Sequence, residues 1–235
     1  MALPRFYEET IPVGSASVPL NEDTARHVIQ VLRMKTGDQL QLTDGKGNLF
    51  TAQIVLAGKK SAEVRILNSE FTTGSPERVS IAISLVKNAS RFEWFLEKAT
   101  EIGVNEIIPI LCERTEKFHF RHDRMKNILI SAMLQSQQQW LPLLQNPVPF
   151  SECISKPGFS KKYIAHCVAG QKQFPRPDAG NPGQAMVCVG PEGDFTNEEI
   201  EAALTAGFIP VTLGNTRLRT ETAGIVAATL LKTIE

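Results

Sequence analysis

Two short β-branched runs, residues 185–189 and 209–213, each lead through a glycine-bearing loop into a helical pattern. The loops read Gly190-Pro191-Glu192-Gly193-Asp194-Phe195 and Leu213-Gly214-Asn215-Thr216-Arg217-Leu218-Arg219-Thr220-Glu221-Thr222-Ala223. Strand, glycine loop and helix in that order is how α/β proteins build ligand sites. The helix start offers unpaired N–H groups, and glycine lets the backbone approach the ligand. Standing about two dozen residues apart, the loops predict adjacent parallel strands that present both at one sheet edge. Two ordinary β–α turns show the same spacing, and Arg219-Thr220-Glu221-Thr222 also fits an N-cap with an acidic first turn.

The pattern upstream supports a parallel sheet. Strands are expected at 79–86, 107–111, 163–167, 185–189 and 209–213, separated by helical stretches. Phe92, Phe95, Leu96, Ala99 and Ile102 mark one face of a helix stopped by Gly103. Its acidic pairs Glu93–Glu97 and Glu97–Glu101 stand at like-charge i,i+4 spacing, which calls for Lys98 or an outside cation. A second helix is expected over 123–140, ending in the glutamine-rich stretch 135–139, and a loop-rich connection over 142–159. Residues 174–183 form a proline- and glycine-rich loop. Thr196 and Glu199 make a capping box for a helix through Ala206, and a last helix spans about 221–234. Strands alternating with helices argue for a mainly parallel sheet covered by helices.

Residues 1–70 have a different texture, reading as a small β-rich unit with one helix. Asn21 caps a helix carrying Ala25, Val28, Ile29 and Leu32 and ending near Arg33 and Met34. Strands 39–43 and 49–56 flank the turn Asp44-Gly45-Lys46-Gly47-Asn48 as a hairpin, and a strand follows at 62–67. Residues 71–77 form a linker to a second domain at 78–235. The first unit offers no nucleophile, paired acids or metal ligands, so it reads as a binding module, with His27, Arg33 and Lys35 as candidate phosphate contacts.

Composition excludes several classes. At 42% hydrophobic and 21% charged residues the chain is of ordinary globular type. No apolar run approaches the eighteen or so residues of a membrane span, and the start lacks a signal peptide's apolar core, so a cytosolic protein is expected. Cys112, Cys153, Cys167 and Cys188 show no paired spacing, which suits reduced, mostly buried thiols. With 25 basic and 25 acidic residues, bulk charge does not drive nucleic-acid binding. A local basic face is still available in Arg114, Lys117, Arg121, Arg124 and Lys126 with His119 and His122. The dinucleotide fingerprint, the P-loop and the GxSxG elbow are missing.

The two C-terminal strings resemble the knotted methyltransferases of the SPOUT class. The chain as a whole resembles the bacterial ribosomal RNA small-subunit methyltransferase E family, which makes 3-methyluridine in 16S rRNA. The resemblance runs in order through Pro4-Arg5-Phe6-Tyr7, His27 with Val31-Leu32-Arg33-Met34, Phe92-Glu93-Trp94, Lys98-Ala99-Thr100-Glu101-Ile102-Gly103-Val104, Glu113-Arg114-Thr115 and the two loops. It implies a PUA-like RNA-binding β-barrel at 1–70 and a SPOUT domain with a C-terminal trefoil knot at 78–235. S-adenosyl-L-methionine is then the cofactor, 16S rRNA or the assembled small ribosomal subunit the partner, and a homodimer the assembly, with no membrane or metal involved.

By the same resemblance, His166, Gly190, Pro191, Glu192, Gly193, Leu213, Gly214, Leu218, Arg219, Thr220, Glu221, Thr222 and Ala223 hold the cofactor. Arg5, His27, Arg33, Lys35, Lys87, Arg91 and Arg114 are the RNA-binding candidates. Asp194 stands where the family commonly has a second glycine, and Leu134 and Gln138 replace charged family positions. Arg219 is the candidate catalytic residue, stabilising a developing uracil oxyanion or orienting a phosphate. It stays protonated, so it is not the base, and the base itself is left unassigned. Two alternatives stay open: an RNA-binding or ribosome-assembly module with weak activity, and a SPOUT enzyme with another RNA target.

Overall fold

A computed structural model describes residues 3–12, 17–58, 60–116, 119–176 and 183–232. Lys59, Lys117, positions 177–182 of the expected proline-rich loop and the last three residues lie outside them. The chain divides into two compact units, one of residues 1–74 with 133–141, the other of 75–132 with 142–235.

The first unit is a five-stranded sheet of β1 (Arg5–Tyr7), β2 (Val18–Pro19), β3 (Gln39–Thr43), β4 (Asn48–Ala57) and β5 (Ala62–Phe71), in the order β1-β3-β4-β5-β2. Only the β1–β3 pairing is parallel. Alternation sends Leu40, Leu42, Phe50, Ala52, Ile54 and Val64 into one core, which Ala25 and Val28 close. The expected hairpin turn is held by the Asp44 carboxylate, which accepts from the Lys46 N–H at 2.8 Å. Asn21 caps α1 (Glu22–Arg26) through the Thr24 N–H at 2.9 Å. The helix is shorter than expected because a π-helical turn, His27–Val31, takes over, with the Leu32 N–H bonding the His27 carbonyl. Strands β1 and β2 were not expected; at three and two residues they are too short to show a period.

The glutamine stretch finds its place in this unit. The Gly47 N–H donates to the Gln139 carbonyl and the Leu141 N–H to the Gly45 carbonyl, both at 2.9 Å. The Trp140 indole N–H reaches the Thr72 carbonyl at 3.0 Å. Segment 137–141 is thus a ribbon laced to the hairpin turn.

The second unit contains β6 (Arg78–Ser84), α2 (Ala89–Ile102), β7 (Glu106–Leu111), most of α3 (His122–Gln135), β8 (Leu143–Leu144), β9 (Val148–Pro149), α4 (Phe150–Ile154), β10 (Lys161–Ala165), β11 (Gln184–Val189), α5 (Asn197–Thr205), β12 (Ile209–Val211) and α6 (Thr220–Lys232). Its seven-stranded sheet runs β12-β10-β11-β6-β7-β8 with β9 also on β7, and every pairing is parallel. The buried runs of β6, β7 and β11 are the signature of such a sheet. Asn88 caps α2 and Gly103 ends it in the left-handed region at φ 90°. Lys98 bridges Glu97 and Glu101, and Arg124 takes Glu93 at 2.7 Å, so the acidic face of α2 is relieved from within the chain.

Three expectations need correction. The strands carrying the two loops are not adjacent, because β10 lies between them. Sequence neighbours pair only about two times in three, and the last crossover here carries the chain from β11 past β10 to β12. Helix α3 stops at Gln135 rather than 140, since Gln137 turns to φ 58° and starts the ribbon. The connection 142–159 holds β8, β9 and α4, which are likewise too short to leave a readable pattern.

Candidate functional site

The register of three strands builds the site. Ala165 of β10 pairs with Val189 of β11 on one side and Val211 of β12 on the other. Parallel strands in step release His166, Gly190 and Thr212 side by side at the carboxyl edge of the sheet, where open α/β sheets bind ligands. A cavity of about 550 Å³ lies there. The loop after β11 and the loop after β12 close it, and the hydroxyl of buried Thr220 donates to the Gly190 carbonyl at 3.0 Å to join them.

The first loop is a tight turn, its Asp194 N–H bonding the Pro191 carbonyl at 2.9 Å. Asp194 sits at φ 64°, a conformation Asp tolerates better than most residues. Its Oδ2 accepts from the Cys167 N–H at 2.8 Å, tying the loop to the end of β10. A Cβ at Gly190 would stand 3.0 Å from the Phe195 ring and 3.2 Å from the Phe195 nitrogen, so that glycine is there for close approach. Gly214 at φ 137° turns the second loop.

Of the residues expected to hold the cofactor, His166, Gly190, Pro191, Glu192, Leu213, Gly214, Leu218, Arg219, Thr220 and Ala223 line this cavity. Gly193, Glu221 and Thr222 do not. Gly193 faces Arg114, whose Cδ a Cβ would approach to 3.3 Å. Glu221 and Thr222 line a second cavity with Arg219. Cys167, Lys172, Asp194, Asn215 and Arg217 join the wall without having been singled out as cofactor contacts. Asn215 and Arg217 lay inside the quoted loop and could have been taken with it. Lys172 sits in a featureless polar loop that carries no signal.

The electrostatics are mixed. Burial, with Lys172 adding and Asp194 opposing, pushes His166 below the usual histidine range, so the ring is neutral at pH 7. Its Nδ1 is shut away from solvent with no partner among the described residues. Such a wall admits a positively charged ligand without an opposing imidazolium. Nearly 550 Å³ of loop backbone, carboxylates and a neutral imidazole suits a compact polar ligand of nucleoside size.

The RNA candidates are scattered over both units. Arg5 donates to Gln41 and to the Gln137 carbonyl, which keeps it inside the first unit's framework. His27 packs edge-on to Phe6, Arg33 stands exposed at φ 54°, and Lys35 is exposed. In the second unit Lys87 pairs with Glu116 at 2.9 Å and its N–H meets Glu192. Arg91 pairs with Glu221 at 3.7 Å. Arg114 donates to the Gly193 carbonyl at 2.7 Å and so shapes the first loop. Three cysteines are buried and Cys167 is exposed, all of them free thiols. Among the described residues no helix is long and apolar enough to cross a membrane.

A nucleoside-sized pocket at the parallel-strand edge, with a separate β unit, matches the comparisons with known proteins. The family model described as an RNA methyltransferase domain matches residues 73–232, and the one described as an RNA methyltransferase PUA domain matches 20–67. The class is therefore that of RNA methyltransferases with a PUA-like unit.

Within that class the relatives agree. The ribosomal RNA small subunit methyltransferase E of Synechocystis is 32% identical over 221 residues, covering 90% of this chain and 71% of that protein. The crystal structure of a ribosomal RNA small subunit methyltransferase E from Neisseria gonorrhoeae bound to S-adenosyl methionine superposes with a TM-score of 0.83 at 31% identity, over 97% of this chain and 96% of that one. A probable rRNA-methyltransferase from Porphyromonas gingivalis gives 0.88 at 38% identity, over the same shares. The chain belongs to the ribosomal RNA small subunit methyltransferase E family.

Proposed function

We propose that this chain transfers the methyl group of S-adenosyl-L-methionine to N3 of a uridine in 16S rRNA of the small ribosomal subunit. The carrying observation is the cavity at the ends of β10, β11 and β12, closed by two glycine loops that the Thr220–Gly190 hydrogen bond joins. In this reading the loops hold the donor, with Gly193 framing the first of them, and thread as a trefoil knot. The protein works in the cytoplasm as a homodimer with sites near the subunit interface. Arg5, His27, Arg33, Lys35, Lys87, Arg91 and Arg114 contribute to RNA binding.

When bound, the donor supplies an electrophilic methyl on a sulfonium. The chain's part is to keep that cation comfortable and to manage the acceptor. Neutral His166 adds no repulsion, and Glu192 and Asp194 line the same wall. In this reading Arg219, which lines the cavity, stabilises the negative charge that develops on a uracil carbonyl.

Tritium transfer from labelled donor to small-subunit RNA or particles tests the reading. Label in protein or DNA alone sinks it. Donor binding without transfer to any RNA favours an assembly module, the reading suggested by Leu134 and Gln138. Label in another RNA keeps the chemistry and changes the target.

A further inference from the structure

A second cavity, of about 600 Å³, shares Arg217, Leu218 and Arg219 with the first as a common wall. Three features mark it. Trp94 is 44% exposed there, on a helix whose neighbours Phe92, Phe95 and Leu96 are all buried. An indole left in water beside arginines is a surface on which an aromatic ring can stack. Glu221 presents a carboxylate whose side chain is only 9% exposed, and its ion-pair partner Arg91 stands at 3.7 Å, beyond hydrogen-bond length. Glu221 lines this cavity and not the first.

Methyl transfer needs donor carbon and acceptor nitrogen within about 3–3.5 Å in a fixed line. Two cavities bordered by the same Arg217, Leu218 and Arg219 put a donor in one beside an acceptor in the other. Among the described residues no hydrogen bond reaches the Glu221 carboxylate, so it can accept from a ring N–H. Uracil carries one at N3 between two carbonyls, which arginine N–H groups match. Cytosine has no hydrogen there.

We propose that the second cavity receives the acceptor nucleotide, an unstacked uridine whose ring lies on Trp94, whose phosphates meet Arg91 and Arg217, and whose N3–H faces Glu221. The proposal rests on the methyltransferase reading and supplies the base that reading lacks. The N3–H bond breaks and its proton passes to a Glu221 oxygen. The freed nitrogen pair forms the bond to the methyl carbon, and the carbon–sulfur pair stays on sulfur. Arg219, on the common wall, faces the oxygen that gains charge.

The chain has only two tryptophans, Trp94 and Trp140, so a Trp140→Phe variant makes Trp94 the sole indole reporter. With the demethylated donor product bound, no transfer occurs, and a short single-stranded RNA containing uridine should quench Trp94 fluorescence where a cytidine version does so weakly. Trp94→Ala should weaken RNA binding about 5- to 150-fold, the worth of one stacked base, while calorimetric affinity for the demethylated product stays unchanged. Glu221→Gln should keep RNA binding but lose about 10²–10⁴ in transfer rate. Its residual rate should climb with pH as the ring N–H begins to ionise unaided. If Trp140→Phe does not fold, the same quench is read as the difference between the natural protein and Trp94→Phe.

An unquenched Trp94 overturns the proposal. So does a Trp94→Ala protein that falls to monomers with RNA affinity per subunit intact, because a second copy then covers this face. A Glu221→Gln enzyme with unchanged rate removes Glu221 as the proton acceptor. Loss of donor binding in the natural protein fails the methyltransferase reading itself. Donor binding and transfer with a silent Trp94 fail only the acceptor assignment.

Discussion

Asp194 does two things in the first loop. It holds φ 64°, which costs a non-glycine residue roughly 1–2 kcal/mol, and its carboxylate accepts the Cys167 N–H at 2.8 Å. A hydrogen bond to a charged group contributes roughly 1.5–3 kcal/mol, so the tie outweighs the strain. Asp194→Gly should therefore weaken binding of the demethylated donor product about tenfold by calorimetry, and Asp194→Ala more. Tighter binding in the glycine variant would show that strain governs. His166 supplies a pH test. Burial, then Lys172, lowers its pKa below the ordinary value near 6.5, so the unfolded chain binds the proton more readily. The neutral ring's contribution is complete above pH 6.5 and falls as pH drops beneath it. Donor affinity should fall with it, as an imidazolium meets a sulfonium. His166→Asn should flatten that dependence; an equally steep profile in the variant assigns it to another group.

At the scale of elements, the contact of α2 with α6 is the tightest test of packing. A Cβ at Gly224 would lie 2.6 Å from the Phe95 ring and 2.9 Å from Ile83. Gly224→Ala should lower unfolding stability by about 1–3 kcal/mol, the usual cost of overpacking, read as a shifted urea midpoint at unchanged slope. An unshifted midpoint means the helices slide apart easily. Much of this layer was legible in the sequence. Asn21, Thr196 with Glu199, and Gly103 marked helix ends through hydrogen bonds that depend on nearby residues only. The position of β10 between β11 and β12 was not, because strand order is decided by which faces bury together after the chain has folded back. Two-residue strands such as β8 carry no period at all. The ribbon 137–141 was hidden for a related reason. Its bonds to the hairpin turn are made by backbone, which every residue but proline supplies alike.

For the whole molecule, zero net charge and paired cations set the salt response. Arg5, Lys87 and Arg114 are already engaged within the chain, which leaves Arg33, Lys35, Arg91 and Arg217 to displace counterions. A slope of log affinity against log salt of about −3 is expected for single-stranded RNA, where seven phosphate contacts would give about −5. The steeper value would mean that the internal pairs open on binding. The two loops were singled out by glycine and strand pattern, but their closeness comes from register. Ala165, Val189 and Val211 stand in one row, and Thr220 then reaches Gly190. That junction is the centre of the account, and a crystal structure with the demethylated product of S-adenosyl-L-methionine tests it most directly. The ligand should lie between residues 190–194 and 213–220, against His166. A ligand bound elsewhere, with this cavity filled only by water, would contradict the account.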